Sequence, residues 1–269
     1  MPGIFEYFNM ILLRNYILTA LILFLWYQSN AQNDTALAKP KSVSYASSYP
    51  KTMAAMAKAP FHWNGDQWLQ FGGSIILVGV LIPTDEVLNI PFENWTTPGA
   101  ETFGDAGDVV GGAPFQFGLT GAALGVGWIT KNKKWQNFAL DNLQSQIFTG
   151  GFTWIFKELT HRARPETGEG NFAWYGPFHG QENKSFFSGH TSLSFSTATM
   201  IFLHTGKKWW VGALSYGAAT AVGISRMQQQ KHWASDVVTG AIIGTTVANF
   251  IYKQQETRRQ KVNTLKTLP

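Results

Sequence analysis

The chain contains no cysteine, so a disulfide framework, a zinc–thiolate site and a thiol nucleophile are all excluded. Charge is nearly as scarce. Asp, Glu, Lys and Arg make up 14% of 269 residues, where an ordinary soluble domain carries roughly 25%. Alternation of polar and apolar residues over the lengths a sheet needs is rare, and no internal repeat is present. The net charge of +5 and pI near 9.3 come from basic residues that are scattered or gathered in the C-terminal tail. No nucleic-acid motif accompanies them, which counts against nucleic acid as a partner. What the chain has instead is 45% hydrophobic residues, 11 Trp and 27 Gly, a composition that suits a tightly packed helical protein near, on or in a membrane. A mean hydropathy of -0.08 pulls the other way, being low for a chain built mainly of spanning helices.

Residues 1–31 read as an export signal: Arg14 precedes an apolar run over 16–27, and Ser29, Asn30 and Ala31 form a small-residue cleavage site. The run is shorter than the about 20 residues of a comfortable span, and an uncleaved anchor is the alternative. Residues 32–65, rich in Ala, Ser, Lys and Pro, read as a linker or loosely docked arm. Six nearly charge-free stretches follow, at 67–83, 109–130, 138–156, 191–203, 209–224 and 237–252. Each is long enough for a helix, which predicts an all-α bundle of about six helices over 66–252. The tail, 253–269, carries Lys253, Arg258, Arg259, Lys261 and Lys266 and reads as a frayed, solvated helix end.

Three clusters carry chemistry. In the first, Arg226 is followed by His232 and Asp236; if that stretch is helical, the four-residue spacing puts His232 and Asp236 on one face within hydrogen-bond reach. An Asp on one ring nitrogen leaves the other free as base or nucleophile. The second holds Lys157 and Arg164, two turns apart if one helix runs through to Pro165. The third is Phe187, Ser188, Gly189 and His190 at a helix start, where exposed N–H groups favour an anion. Each has a plainer reading, as a capped helix start, dipole-matched cations or an N-cap. Topology joins them: in an up-and-down bundle all three fall at one end. Two histidines, three long cations and an N–H-rich turn, with no cluster of metal-ligand carboxylates, fit metal-free phosphoryl transfer.

The patterns K-x(6)-R-P, S-G-H and S-R-x(5)-H-x(3)-D over about 67–252 resemble the signature of the type 2 phosphatidic acid phosphatase family. That family shares its site with vanadium haloperoxidases and bacterial class A acid phosphatases. One departure is Phe187, where the family usually has Pro before S-G-H. The resemblance implies that His232 is a phosphorylated nucleophile oriented by Asp236, and that His190 is the acid and base. Lys157, Arg164, Ser188, Gly189 and Arg226 would hold the phosphate, with no metal or other cofactor. The implied activity is hydrolysis of a phosphate monoester or diphosphate, lipid- or prenyl-linked, with the site at one end of the bundle. The alternatives are a vanadate-dependent haloperoxidase and an inactive lipid-phosphate binding protein. His62, His179 and His204 have no partner at useful spacing, while His161 and Arg162 sit inside the second cluster, where they can tune the pocket. Phe172, Trp174, Tyr175 and Phe178 form either an apolar lip or ordinary loop packing.

Basic residues at 131–134, 207–208 and the tail fall at the end opposite the site, which the positive-inside rule makes cytoplasmic. Parity objects: an exported N-terminus followed by three crossings would put Lys157 inside. The reading taken is an exported, periplasmic bundle, soluble or lying at a membrane, with an integral membrane protein as the alternative.

Overall fold

The computed structural model describes residues 45–177 and 184–266. The expected export signal, residues 32–44 of the arm, Phe178 and His179 lie outside the described residues. Eight α-helices follow one another: α1 Ser48–Lys58, α2 Gly65–Glu93, α3 Pro98–Gly111, α4 Ala113–Ile129, α5 Lys133–Thr160, α6 Gly189–His204, α7 Trp209–Gln228 and α8 Ala234–Lys266. The fold is all-α; among the described residues the nearest thing to a strand is a single bridge between Arg162 and Trp174.

Local chemistry explains most of the boundaries. A capping box of Asn64 and Gln67, with bonds of 2.9 and 3.0 Å, starts α2. Thr97 caps α3 with Pro98 in its first turn, and Asn132 caps α5. Two elements run further than the apolar stretches predict. The helix expected to stop at Pro83 continues through Pro83 and Pro91 to Glu93; beside the proline, the Thr84 hydroxyl donates to the Leu81 carbonyl of its own helix at 2.9 Å. The tail is helix to Lys266, and Arg259 bonds the buried Asp141 at 2.9 Å, so it is docked rather than frayed. The arm is also partly structured: Ser48 and Thr52 of α1 are buried and meet Gln144 and Gln255.

Helix α3 and helix α4 are bent by 52° across Gly112; counted as one element beside α2 and α5 to α8 they make a bundle of six, and α1 packs beside it. Contacts between elements fix the directions. Asn89 bonds Gln230 at 2.6 Å, and the Ser235 amide donates to Asp85 at 2.8 Å, so α2 and α8 are antiparallel. Thr153 meets Ser192 at 3.1 Å and Ser145 meets Ser196 at 2.6 Å, so α5 and α6 are antiparallel too. The C-terminal ends of α2, α5 and α7 and the N-terminal ends of α3, α6 and α8 therefore share one end.

Close backbone approach holds that end together. A Cβ added at Gly244 of α8 would lie 2.1 Å from the Ser192 carbonyl oxygen of α6, and one at Gly107 of α3 would lie 1.9 Å from the Ser225 hydroxyl of α7. Small residues let helices pack this tightly. Gly244→Ala should therefore separate α6 from α8 at a cost of about 1–3 kcal/mol. A thermal unfolding midpoint in detergent equal to that of the parent would contradict it.

Polar residues fill the interior and apolar ones cover the outside. Asp141, Asn142, Gln144, Ser145, Gln146 and Thr149 of α5 are all fully buried. They bond one another's neighbours: Gln146 donates to Thr197 at 3.1 Å and accepts from Thr120 at 3.0 Å, and Asn142 donates to Thr120 at 2.8 Å. Outside, Trp68, Leu69, Phe71, Ile75, Ile76 and Val80 of α2 are exposed. Such a surface is untenable in water and ordinary in lipid. Among the described residues, α2 and the segment Ala234–Thr264 are long and apolar enough to cross a membrane, and the bent α3–α4 pair is a third such element if counted as one. The chain is thus a membrane protein, which corrects the preference for a bundle that does not span. Its low mean hydropathy arose from polar side chains that face each other, not solvent. Exposed Trp128, Trp135, Trp209 and Trp210 lie beside Lys131, Lys133, Lys134, Lys207 and Lys208 at the end opposite the three clusters, the pairing expected at a membrane–water interface.

Candidate active site

The three sequence clusters meet at one end of the bundle, but not by the local geometry the spacing predicts. Helix α5 stops at Thr160, where His161 takes a left-handed conformation with φ 41° and ψ 49°. Arg164 therefore stands in extended chain before Pro165 and not two helical turns from Lys157. The two cations still converge, because Lys157 feels the charges of both Arg164 and Arg226. Likewise His232 precedes α8 and is not helical. Its Nδ1 lies 3.7 Å from Asp236 Oδ2, too far for a hydrogen bond. Ser185 fills the gap, donating to Asp236 Oδ2 with its hydroxyl 3.5 Å from His232 Nδ1.

Asp236 is held from several sides. Its Oδ2 accepts the Trp233 amide at 2.9 Å, the carboxylate half of a capping box. Its Oδ1 accepts from Arg162 Nη1 at 2.7 Å. Arg162 in turn donates to Asp85 at 2.7 Å, to Ser235 at 2.7 Å and to the Asn171 carbonyl at 3.1 Å, with Trp174 stacked 4.7 Å from its guanidinium. Arg162, Asp85 and Asp236 have no exposed side-chain surface. Trp174 is thus packed into this network and is no lip, while Phe172 of the same loop is exposed.

Ser188 is the N-cap of α6: its hydroxyl accepts from the Thr191 amide at 3.4 Å and the Thr191 hydroxyl at 2.9 Å. Phe187 is fully buried and stacks on Phe156 and Phe186, at 5.7 and 6.0 Å between centroids. Aromatic packing therefore secures the turn where a proline ring would. Gly189 faces Thr153, whose methyl would be 3.3 Å from an added Cβ. His190 is partly exposed, with Nε2 3.1 Å from Asp108 Oδ1.

Each cation has an acceptor from its own chain. Lys157 donates to the Lys184 carbonyl, Arg164 meets Glu166 at 3.3 Å, and Arg226 bonds Asp108 at 2.5 Å and Gln229. The buried Nε atoms of Arg164 and Arg226 have no hydrogen-bond partner among the described residues. Burial lowers the His232 pKa to about 3, against the pull of Asp236.

The His232 ring, well below the 6.5 of a free histidine, is thus neutral at physiological pH. Through this group the folded chain binds fewer protons than the unfolded chain below pH 6.5, so the contribution to stability is intact above that pH and is lost as the pH falls towards 3. The unfolding midpoint is expected to drop between pH 7 and pH 4.5. His232→Gln should flatten that slope; an unchanged slope would refute the assignment of a buried neutral ring at His232.

Sequence reasoning missed Asp85, Asp108 and Ser185. An aspartate inside an otherwise apolar helix, as Asp85 is, was a usable signal; Asp108 and Ser185 offered none at the level of spacing. His204, read as unpartnered, bonds Asp141 at 3.0 Å across two helices.

A helical bundle of a membrane protein with two histidines, three cations and a helix N-terminus gathered at one end defines the class: a site whose charges and donors suit an anion. Residues 138–260 match the PAP2 superfamily. The lipid A 1-phosphatase of Porphyromonas gingivalis is 30% identical over 129 residues, 48% of this chain and 26% of that protein. Lipid phosphate phosphatase 1 of Arabidopsis thaliana is 34% identical over 140 residues, 40% of this chain and 41% of that protein. The matches thus span less than half the length of these relatives. Among solved structures, a transmembrane PAP2-type phosphatidylglycerolphosphate phosphatase from Bacillus subtilis shares the fold, with a TM-score of 0.52 and 20% identity over 70% of this chain and 94% of that one.

Proposed function

We propose that this chain is a metal-independent lipid phosphate phosphatase that works through a phosphohistidine. The observation that carries the reading is the pair of buried, unpartnered Nε atoms on Arg164 and Arg226 beside Lys157. Three cations held together repel one another, and a phosphate dianion relieves the repulsion and fills the missing bonds. The amides at the start of α6, behind Ser188 and Gly189, add donors to the same anion.

In this mechanism the neutral His232 attacks phosphorus, forming an N–P bond as the bond to the leaving oxygen breaks. His190, protonated once the dianion is seated, gives its proton to that oxygen and the alcohol departs. The neutral His190 then takes a proton from water, whose oxygen attacks phosphorus and releases the imidazole. Asp236, with Ser185, orients His232 and balances its charge. The protein cations supply what a metal would otherwise supply at the phosphate oxygens.

The curated relatives are lipid A and lipid phosphate phosphatases by name, and the exposed apolar helices put the site within reach of a lipid headgroup. By the positive-inside rule the Lys- and Trp-rich end is cytoplasmic and the site faces the other side, in the periplasm for an exported chain. Helix α2 begins at the Lys- and Trp-rich end, so three crossings bring Lys157 to the site side without a parity conflict if the preceding chain lies inside.

Release of inorganic phosphate from phosphatidate or lipid A in mixed micelles should persist in excess EDTA, and acid-quenched enzyme should carry acid-labile phosphate. Loss of activity in EDTA, restored by a divalent cation, would overturn the metal-free mechanism.

A further inference from the structure

Asp108 stands outside the matched domain and outside the three clusters, yet one of its oxygens, Oδ1, is shared by His190 at 3.1 Å and Arg226 at 2.5 Å. Those are the groups that the phosphatase reading assigns to the leaving oxygen and to the phosphate. A carboxylate oxygen therefore marks the border between the two. The position is built in: Gly107 seats α3 against Ser225, and a Cβ at Gly111 would lie 2.4 Å from a Val222 methyl carbon and 3.0 Å from His190 Cβ, so α3 cannot slide or be padded away from the site. One turn earlier, Asp105 bonds Gln229 at 3.2 Å and places a second carboxylate on the same flank.

We propose that Asp108 sets the substrate class, making the site select phosphate monoesters over diphosphates. This rests on the phosphatase reading. The scissile phosphate takes Arg226 from Asp108, while the carboxylate stays beside His190. With a monoester, the P–O bond to carbon-bound oxygen breaks, the oxygen takes the proton of His190, and a neutral alcohol leaves past Asp108. With a diphosphate the departing group is itself a phosphate, and its negative charge forms against the carboxylates of Asp108 and Asp105. Arg226 is by then committed to the scissile phosphate, and Arg164 is shared with Glu166. Asp108 is 52% exposed, so water screens the repulsion and the preference is graded. A discrimination of about tenfold in kcat/KM is expected for like charges so placed.

The test compares kcat/KM for a prenyl phosphate and the same prenyl diphosphate in detergent micelles, in the parent and in Asp108→Asn. The parent should favour the monoester by about tenfold, and Asp108→Asn should narrow the ratio to about two- or threefold, mainly by gaining on the diphosphate. A parent ratio near one, or a ratio unchanged in the variant, would overturn the proposal. Should Asp108→Asn fail to fold, the parent alone decides: raising salt should shrink its preference, because a half-exposed charge is screened, and a salt-independent ratio counts against Asp108. A parent inert towards both substrates would instead sink the phosphatase reading itself.

Discussion

His232→Ala is expected to remove turnover, with kcat falling by a factor on the order of 10⁴–10⁶, the range for loss of a covalent nucleophile. Among the described residues no other side chain of the site stands ready to replace it. His190 is bonded to Asp108, Ser188 is used as the cap of α6, and Ser185 is engaged by Asp236. Phosphate binding should survive, since the three cations remain. The measurement is phosphate release from vesicle-borne phosphatidate, together with acid-labile phosphate on the quenched protein. Turnover within tenfold of the parent would mean that His232 does not form the bond to phosphorus.

Arg162→Met should be the most damaging change to stability. The guanidinium lies between Asp85 and Asp236, at 2.7 Å from each, with no exposed surface on any of the three. Removing it leaves two buried carboxylates facing each other, and breaking a buried pair in this way costs about 3–5 kcal/mol. Asp85 also satisfies the Ser235 amide at the start of α8, so the loss would loosen the turn that presents His232. Adding Asp85→Asn should recover part of the stability, because one of the orphaned charges is then gone. Thermal unfolding of the two variants in detergent checks this; if Arg162→Met unfolds at the parent temperature, the network is not what holds α2, the loop after α5 and α8 together.

Much of this protein was open to reading along the chain. Six stretches with few or no charges marked the six elements of the helical bundle, because a tightly packed helix surface cannot carry many solvated charges. The residues of all three clusters were legible by type and order. Their mutual geometry was not. The spacing of Lys157 and Arg164 suited a helix, but the left-handed His161 ends that helix four residues too early. The spacing of His232 and Asp236 suited a shared helical face, yet Ser185 and a capping contact join them instead.

What the sequence determined by itself was the chemistry available: two histidines, three cations and a Ser-Gly turn, with no thiol to compete. Only the tertiary structure decided which charges face them. Asp85 meets Ser235 across 150 residues and Asp108 meets Arg226 across 118, and no local period records contacts of that length. It also decided which way the polar residues point. Mean hydropathy adds up side chains without regard to direction, so a bundle with glutamines and asparagines bonded inside and tryptophans and isoleucines outside gives the same sum as a soluble one.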